Sequence, residues 1–303
     1  MIYNIGSINA DFFYHVSHIP MPGETLAASK VERGLGGKGA NQSVAMINAG
    51  SEVYHLGAVG EDGSWLIDQL RALGVDTTNI IKLIGASGHA IITVEKDGEN
   101  AITTFGGANH LISTDQVNSW LEPISSSDWL VLQNETSQQS KAANLASLRG
   151  AHVVYSAAPF DAEVVAEILP FVDILCVNEI EAAELISHFK VKNLVEIGVS
   201  AILTTLGSRG ATYQDFKTGL EIGVEGITVS PVDTTGAGDT FCGYFVALLS
   251  QGKDPLEALT VANKAAALKV TKLGTANVIP NLAEVLKFNT CLLYTSPSPR
   301  DSR

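Results

Sequence analysis

Short apolar segments alternate with helical patterns along the middle of the chain, and this alternation restricts the fold more than any other feature. The strand-like segments cover residues 129–132, 152–155, 173–177 and 201–205. Apolar residues at helical spacing follow each of the first three. Near-continuous apolar strands that alternate with helices are typical of a parallel sheet covered on both faces. The sequence therefore predicts an α/β fold with a doubly wound, mainly parallel sheet, in which ligands bind at the carboxyl ends of the strands.

The amino-terminal third follows a different pattern. Four short strand patterns without helices of their own occur at residues 11–16, 26–33, 89–95 and 100–104. Gly98 lies between the last two, which favours a hairpin. Helical patterns at residues 40–49 and 64–73 separate the two pairs of strands. We therefore expect a small β-sheet lid, formed by about residues 10–33 and 88–106, over a site on the α/β body.

The end of the chain differs from the rest. Residues 289–303 show no periodicity, and Pro297 and Pro299 cannot continue a helix. This segment resembles translated cloning-vector sequence, and we exclude it from the fold prediction. A natural disordered tail is the alternative. No linker rich in proline, glycine or serine divides the remainder, so residues 1–288 are predicted to form a single α/β domain.

Charge and composition exclude several classes of partner. Nineteen Lys and Arg against thirty-two Asp and Glu give a formal charge of −13, which argues against a nucleic-acid partner. A small phosphorylated ligand remains compatible, because a few local groups can bind it. No apolar run reaches the roughly 18 residues that span a bilayer, and the chain begins without a signal-peptide pattern. Cys176, Cys242 and Cys291 form no CxxC pair, so we expect no disulfide framework and a reducing cytoplasmic environment. Together with the absence of a long apolar run, this predicts a soluble cytoplasmic protein with no membrane partner.

The most specific motif is Asp-Thr-Thr-Gly-Ala-Gly-Asp at residues 233–239. Gly236, Ala237 and Gly238 have little bulk and lead directly into a helical pattern. Small residues at a helix N-terminus leave backbone N–H groups open to an anion. Asp239 would then lie beside this anion hole, where a general base could take a proton from a hydroxyl. A tight loop in which Asp239 only caps the helix explains the spacing equally well.

A second glycine-rich run precedes the first helical pattern. Gly34, Gly36 and Gly39 match GxGxxG, but the run does not follow a central strand, as the dinucleotide fingerprint requires. It is not a P-loop, because Lys38 is followed by glycine rather than serine or threonine. Asn41 can both donate to and accept from hydroxyl groups, which suits a sugar. The alternative is a glycine-rich turn with a solvated lysine.

Two weaker motifs lie where predicted strands end. Asn178 and Glu181 could hold Mg²⁺ through waters, although acidic residues are also favourable in any first helical turn. Residues 205–210 form a turn in which Gly207 and Gly210 permit close approach to a ligand. A plain hairpin turn explains that segment as well.

Together these motifs resemble the ribokinase-like carbohydrate kinases, the PfkB family, from Asn4 to about Phe288. Residues 36–41 look like the N-terminal signature of the family and residues 233–239 like its C-terminal one, and the chain looks most like the ribokinase group. The resemblance implies a ribokinase-like fold and an ATP- and Mg²⁺-dependent kinase. It implies phosphorylation of the primary hydroxyl of a pentose, with D-ribose to D-ribose 5-phosphate favoured. The alternatives are another sugar or a nucleoside as substrate, or a non-catalytic sugar or nucleotide sensor on this fold.

The resemblance also implies roles for individual residues. Asp239 matches the catalytic base of the family, a position that also contacts the sugar. Gly236, Ala237 and Gly238 match the anion hole. The other sugar-binding positions are matched by Asn9, Asp11, Gly37, Lys38, Asn41 and Glu135. Nucleotide-binding positions are matched by Asn178, Thr205, Leu206, Gly207, Ser208, Arg209, Gly210, Gly238 and Asn263. Asn178 and Glu181 match an N-x-x-E motif associated indirectly with magnesium.

Two further properties come from the resemblance alone. A potassium site, formed mostly by backbone carbonyls, is matched by Asp233, Thr235, Lys269, Lys272 and Gly274. The chain departs from the pattern at Val278, where ribokinases often carry serine, which weakens the case for potassium activation. It departs again at residues 156–160, which leaves the fit to the nucleotide open. A homodimer joined through the lid is implied, with a sugar and ATP as the small-molecule partners.

Overall fold

A large twisted sheet with helices on both faces forms the body of the protein, and a small sheet adjoins it. The computed structural model describes residues 1–96 and 99–288. The strands are β1 (Ile2–Ile5), β2 (Asn9–His15), β3 (Lys30–Gly36), β4 (Val53–Val59), β5 (Ile80–Lys82), β6 (Gly88–Val94), β7 (Asn100–Phe105), β8 (Trp129–Gln133), β9 (His152–Ser156), β10 (Ile174–Asn178), β11 (Ala201–Thr205), β12 (Gly210–Asp215) and β13 (Leu220–Glu225). The helices are α1 (Lys38–Asn48), α2 (Ser64–Ala72), α3 (Thr114–Trp120), α4 (Gln139–Leu148), α5 (Ala162–Ile168), α6 (Glu179–Phe189), α7 (Ala237–Ser250), α8 (Pro255–Lys269) and α9 (Leu282–Lys287).

The large sheet has the order β13-β12-β11-β10-β9-β8-β1-β4-β5. Strands β8 to β11, β1, β4 and β5 pair in parallel, whereas β12 and β13 are antiparallel. The predicted mainly parallel sheet is therefore confirmed. Residues 1–6 are expected to form a first strand, and the structure has β1 there. The strands without a predicted counterpart are β4, β5, β12 and β13. Their patterns are weak because His55 and Gly57 interrupt β4, and β12 and β13 carry polar residues on the sheet edge.

Strand β8 shows why these segments are almost continuously apolar. Val131 packs into the layer that contains α1, α7 and α8, whereas Leu130 and Leu132 pack into the layer that contains α3 to α6. All three side chains have an exposure of 0%. Successive side chains of a strand point to opposite faces, so a sheet buried on both sides needs apolar residues at every position.

The small sheet is the predicted lid, and its order is β3-β2-β6-β7. β2 pairs antiparallel with β3 and parallel with β6, and β6 pairs antiparallel with β7. Strand β6 (Gly88–Val94) lies within one residue of the predicted segment 89–95. Strand β3 covers Lys30–Gly36 and begins later than the predicted segment 26–33. The register places Asn9 opposite both Gly36 and Gly88. The base of the lid therefore meets the glycine-rich run at the start of α1.

Other predictions about the organisation of the chain have different outcomes. The single domain over residues 1–288 stays a prediction, and the suspected tail at 289–303 lies outside the described residues. Residues 97–98 of the predicted hairpin turn lie outside them too. Among the helices that the structure describes, none combines the length and apolar character that a membrane crossing requires.

Candidate active site

The carboxyl ends of the central parallel strands carry several of the predicted site residues, as the topology rule requires. Glu135 follows β8, Asn178 ends β10 and Thr205 ends β11. The N-termini of α1 and α7 face the same region, since Asn41 and Asp239 are in contact there. We call the side chains of Asn9, Asp11, Lys38, Asn41 and Glu135 the N-terminal cluster. Its members come from β2, α1 and the segment after β8.

Asp239 is held by two amides of α1. Asn41 Nδ2 donates to Oδ2 of Asp239 over 2.9 Å, and Gln42 Nε2 donates to Oδ1 over 3.4 Å. The contact depends on close packing of α1 against α7, where a Cβ atom on Gly243 would lie 2.6 Å from Cβ of Ala45. Glycine at that position therefore lets the two helices approach until Asp239 reaches the N-terminal cluster. The carboxylate is 8% exposed and lies in the first turn of α7.

Glu135 is fixed by the loops around it. Its Oε2 accepts the backbone N–H of Lys38 over 3.0 Å and the hydroxyl of Ser7. The glycine-rich run thus reaches the end of β8 through its backbone. These bonds orient a half-buried carboxylate next to the lid.

Lys38 lies among three carboxylates. The charge of Asp239 is the largest influence and raises the pKa of Lys38; burial opposes it, and Glu135 and Glu181 add to the rise. Opposite charges favour the protonated lysine. Its ammonium therefore interacts electrostatically with Glu135 of the N-terminal cluster and with Glu181 at the start of α6.

Asp11 is the most strongly perturbed carboxyl group of the N-terminal cluster. It is 8% exposed, and burial, followed by the charge of Glu135, raises its pKa from 3.8 to about 7. Gly36 allows this arrangement, because a Cβ atom there would lie 2.0 Å from Oδ2 of Asp11. Asn9 is oriented separately, since its Oδ1 accepts from Nδ2 of Asn109 over 2.8 Å.

A buried polar network, which the sequence did not predict, lies behind the N-terminal cluster. Gln133 Nε2 donates to Oδ1 of Asn4 and to Oε1 of Gln42, over 2.8 and 2.9 Å. Asn4 Nδ2 donates in turn to the carbonyl oxygen of Gly39 over 2.8 Å. Through Gln42 the network supports Asp239. The available signal was a polar residue inside each of two apolar strands, β1 and β8.

A cavity of about 560 Å³, which we call the α8 cavity, lies on the other side of the start of α7. Six predicted nucleotide-binding residues line it: Thr205, Gly207, Ser208, Gly210, Gly238 and Asn263. Seven residues that the sequence analysis did not single out line it too: Ile227, Thr228, Val229, Pro231, Ala266, Ala267 and Val270. The last three belong to α8 or follow it directly, and apolar helix residues give no local sign of facing a ligand.

Three predicted nucleotide-binding residues are not among those that line the α8 cavity. Arg209 forms an ion pair with Glu179, and the backbone N–H of Leu206 donates to the carbonyl oxygen of Gly210 over 2.8 Å. Asn178 instead begins α6 as a capping box. Its Oδ1 accepts the N–H of Glu181 over 2.9 Å, and Glu181 Oε2 accepts the N–H of Asn178 over 2.8 Å.

The N-x-x-E residues offer a metal few direct ligands. Burial raises the pKa of Glu181, while its bond to Asn178 and the charge of Lys38 oppose the rise. Within residues 1–96 and 99–288, no three His, Cys, Asp or Glu side chains are grouped as a metal site. Asn178 and Glu181 therefore fit magnesium only through waters or through a ligand that carries the metal.

Three of the other predicted potassium-site residues bond to Asp233. Its Oδ1 accepts the N–H of Thr235 over 2.9 Å, and its Oδ2 accepts the N–H of Gly274 over 3.0 Å. Lys269 Nζ donates to the carbonyl oxygen of Asp233 over 3.1 Å. The ammonium of Lys272 lies 3.4 Å from Glu284, away from this group. Burial lowers the pKa of Lys269, and the carboxylates of Asp233 and Asp239 oppose that effect.

Comparisons with known proteins point in the same direction as this geometry. The family described as pfkB family carbohydrate kinase matches residues 1–282. A ribokinase of Staphylococcus aureus (strain COL) is 36% identical over 298 residues, which cover 93% of this chain and 97% of the relative.

Solved structures are similar over nearly the whole chain. The ribokinase of Thermotoga maritima has a TM-score of 0.84 at 32% identity and covers 94% of this chain and 97% of its own. The ribokinase of Arabidopsis thaliana, solved with ribose and ATP, has a TM-score of 0.82 at 28% identity, covering 95% and 99%. The chain thus belongs to the pfkB family of carbohydrate kinases, and it is a carbohydrate kinase with the ribokinase-like fold.

Proposed function

We propose that this kinase transfers the γ-phosphoryl group of ATP to the primary hydroxyl of a pentose, converting D-ribose to D-ribose 5-phosphate. The position of Asp239 carries the proposal. Its carboxylate contacts Asn41 of the N-terminal cluster, while the preceding residue, Gly238, lines the α8 cavity. A base at this point stands between a sugar on one side and a nucleotide on the other. The ribokinase relative from S. aureus and the A. thaliana complex with ribose and ATP support this substrate pair.

Asp239 takes the proton from the attacking hydroxyl in this proposal. The amides of Asn41 and Gln42 donate to its two oxygens, so the carboxylate is held in one orientation before the sugar arrives. Orientation of this kind lets the base meet the hydroxyl without reorganisation. The base lies in the first turn of α7, so it also stands beside the incoming phosphoryl group.

The start of α7 supplies the anion hole. The backbone N–H of Ala237 donates to the carbonyl oxygen of Thr234 over 3.2 Å. The next amides, of Gly238 and Asp239, belong to the first helical turn, where N–H groups have no acceptor within the helix. Phosphoryl transfer depends on alignment and on stabilisation of the charge on the transferred group. Gly236, Ala237 and Gly238 leave this end of the helix accessible, and the ammonium of Lys38 adds positive charge nearby.

Magnesium enters as part of the second substrate, the complex of Mg²⁺ with ATP. Asn178 and Glu181 use one oxygen each in the capping box of α6. A role through waters or through the bound phosphates suits that geometry. The metal neutralises phosphate charge when it is bound with the nucleotide.

Asn9, Asp11 and Glu135 bind the sugar hydroxyls. These are carboxylate and amide groups at the base of the lid, and Asp11 and Asn9 are no more than 9% exposed. Groups of this kind pair with a hydroxyl-rich ligand, and a deoxy analogue would leave one of them unpaired at a cost in binding. The same cluster therefore favours ribose over deoxyribose.

The substrate proposal is tested by a coupled ADP-release assay on ribose, deoxyribose, fructose and adenosine. We expect the highest kcat/KM for ribose. The proposal fails if no pentose is phosphorylated. Sugar binding in calorimetry without turnover would instead support the sensor alternative, and turnover restricted to adenosine would support a nucleoside kinase.

The homodimer and the cytoplasmic location stay predictions. The lid offers a surface for the dimer, because all six residues of β7 are exposed and Ile102 and Phe105 are 56% and 55% exposed. Edge strands with exposed apolar side chains pair readily with a second sheet. Light scattering coupled to gel filtration measures the mass. A monomer at assay concentrations contradicts the dimer.

A further inference from the structure

Lys269, the last residue of α8, is a lysine with 0% exposure. Its Nζ donates to the carbonyl oxygen of Asp233 over 3.1 Å, and the carboxylates of Asp233 and Asp239 are the charges that act on it. An ammonium removed from water is costly unless oxygen atoms and negative charge compensate it. Lys269 therefore places a compensated positive charge beside the loop that leads into α7.

The oxygen atoms of Asp233 and Lys269 that are expected to bind potassium already have donors. The carbonyl oxygen of Asp233 accepts from Lys269, and the carbonyl oxygen of Lys269 accepts the N–H of Lys272 over 3.0 Å. Both carboxylate oxygens of Asp233 accept backbone N–H groups. Val278 supplies no side-chain oxygen.

A potassium ion on the Asp233 carbonyl oxygen would also lie within a few ångströms of the Lys269 ammonium. Two like charges at such a separation repel strongly where water is excluded. The residues present therefore do not fit potassium, and they fit a lysine in its place.

We infer that the Lys269 ammonium is a built-in monovalent cation, which fixes the segment 233–236 below the anion hole and makes the kinase independent of potassium. The inference rests on the proposed kinase function. Lys269 touches no substrate in this scheme and is a positioning residue, because it acts through the loop that orients Asp239 and the first turn of α7.

The first test uses the wild-type protein. Kinase activity and the melting temperature are measured in KCl and in choline chloride at a constant ionic strength of about 0.1 M. We expect both quantities to be the same in the two salts. Activation of the wild type by potassium, or a melting temperature that rises with potassium, would overturn the inference.

The second test compares two substitutions of the same residue. Lys269→Ala removes the charge and opens space beside the Asp233 carbonyl oxygen, whereas Lys269→Met removes the charge and fills the space. Both should lower kcat by about 10- to 100-fold through misplacement of the loop. Potassium should restore activity and raise the melting temperature of the alanine variant only. Lys253→Ala, which removes an exposed lysine on the α7–α8 turn, is the matched control and should show no potassium effect.

The outcomes separate this inference from the proposed function. An alanine variant that folds and ignores potassium in both readouts contradicts the inference. If that variant does not fold, the two-salt comparison of the wild type decides. If no sugar is phosphorylated by any variant, the proposed function fails, while the potassium effect on melting temperature still tests the role of Lys269.

Discussion

Asn41 Nδ2 donates to Oδ2 of Asp239 over 2.9 Å and joins two residues 198 positions apart in the chain. Asn41 lies in the first turn of α1, next to the glycine-rich run, and Asp239 lies in the first turn of α7, next to the anion hole. The bond therefore connects the two parts of the site that the proposed reaction must align. In the proposed reaction, a sugar held by the N-terminal cluster would meet the base at this contact.

Replacement of the proposed base should separate chemistry from binding. Asp239→Asn keeps an acceptor for Asn41 but removes the carboxylate, so kcat should fall by about 10²- to 10⁴-fold. Ribose should still bind in calorimetry. Asp68→Asn, which changes a carboxylate that is 71% exposed, is the matched control. A near-normal kcat would exclude Asp239 as the base.

The close contact between α1 and α7 should be sensitive to a single methyl group. Gly243→Ala would place a Cβ atom 2.6 Å from that of Ala45 and 2.9 Å from the carbonyl oxygen of Gln42. Overpacking of this kind costs about 1–3 kcal/mol of the free energy of unfolding. kcat should also fall, because Asn41 and Asp239 are pushed apart.

A second substitution tests the cause of that loss. In Gly243→Ala/Ala45→Gly one of the two contacts is relieved, so part of the lost stability should return in urea unfolding. Gly34→Ala is the control, since a Cβ atom there meets only Phe13, at an ordinary 3.8 Å. Purely additive effects in the double variant would show that the helix contact is not the cause.

Asp11 should make stability depend on pH. Its pKa is raised from 3.8 to about 7 in the folded protein. The folded state therefore binds the proton more tightly than the unfolded state, and the stability that this proton provides is lost as the pH rises from about 4 to 7. Between about pH 5 and pH 8 the loss amounts to about 3 kcal/mol.

Asp11→Asn removes this dependence. The free energy of unfolding of the variant minus that of wild type should be larger at about pH 8 than at about pH 5, by that same 3 kcal/mol, so the variant is relatively more stable at the higher pH. Urea unfolding at the two pH values measures it, with Asp68→Asn as the exposed control. The explanation is wrong if the difference between variant and wild type is equal at both pH values. The variant should also bind ribose more weakly, because a charge-assisted bond to a hydroxyl is lost.

A substitution that fills the α8 cavity should weaken the binding of the nucleotide only. Ala267 lines the cavity, so Ala267→Phe fills part of its roughly 560 Å³. The KM for ATP should rise by at least about tenfold while the KM for ribose stays unchanged, because the proposed sugar site lies on the other side of the start of α7. Ala283→Phe, at an exposed position of α9, is the matched control. Equal increases in both KM values would place the nucleotide elsewhere.

Local sequence patterns were sufficient for strands β8 to β11, the lid and the positions of most helices. Val131 and its neighbours in β8 are apolar on both sides because both faces of the strand are buried, and this requirement is visible in the residues themselves. The motif at 233–239 likewise predicted a helix start, which the structure has at Ala237. The pairing of polar residues was not predictable in this way. Gln133 and Asn4 are isolated polar residues in apolar strands, and only the register of β1 with β8 brings them together.

Lys269 shows most directly where sequence alone reached its limit. The alternation of strands and helices determined the fold class, and the two glycine-rich motifs pointed to Asn41 and to residues 236–239, because periodicity and small residues act over a few positions of the chain. Most of the other candidate site residues came from the family resemblance. Whether Lys269 offers its carbonyl oxygen to an ion or its ammonium to the Asp233 carbonyl oxygen depends on how α8 packs against the 233–236 loop. That choice belongs to the tertiary structure, since the position of a buried charge depends on the groups that compensate it, and here the Asp233 carbonyl oxygen lies 36 residues away in the chain.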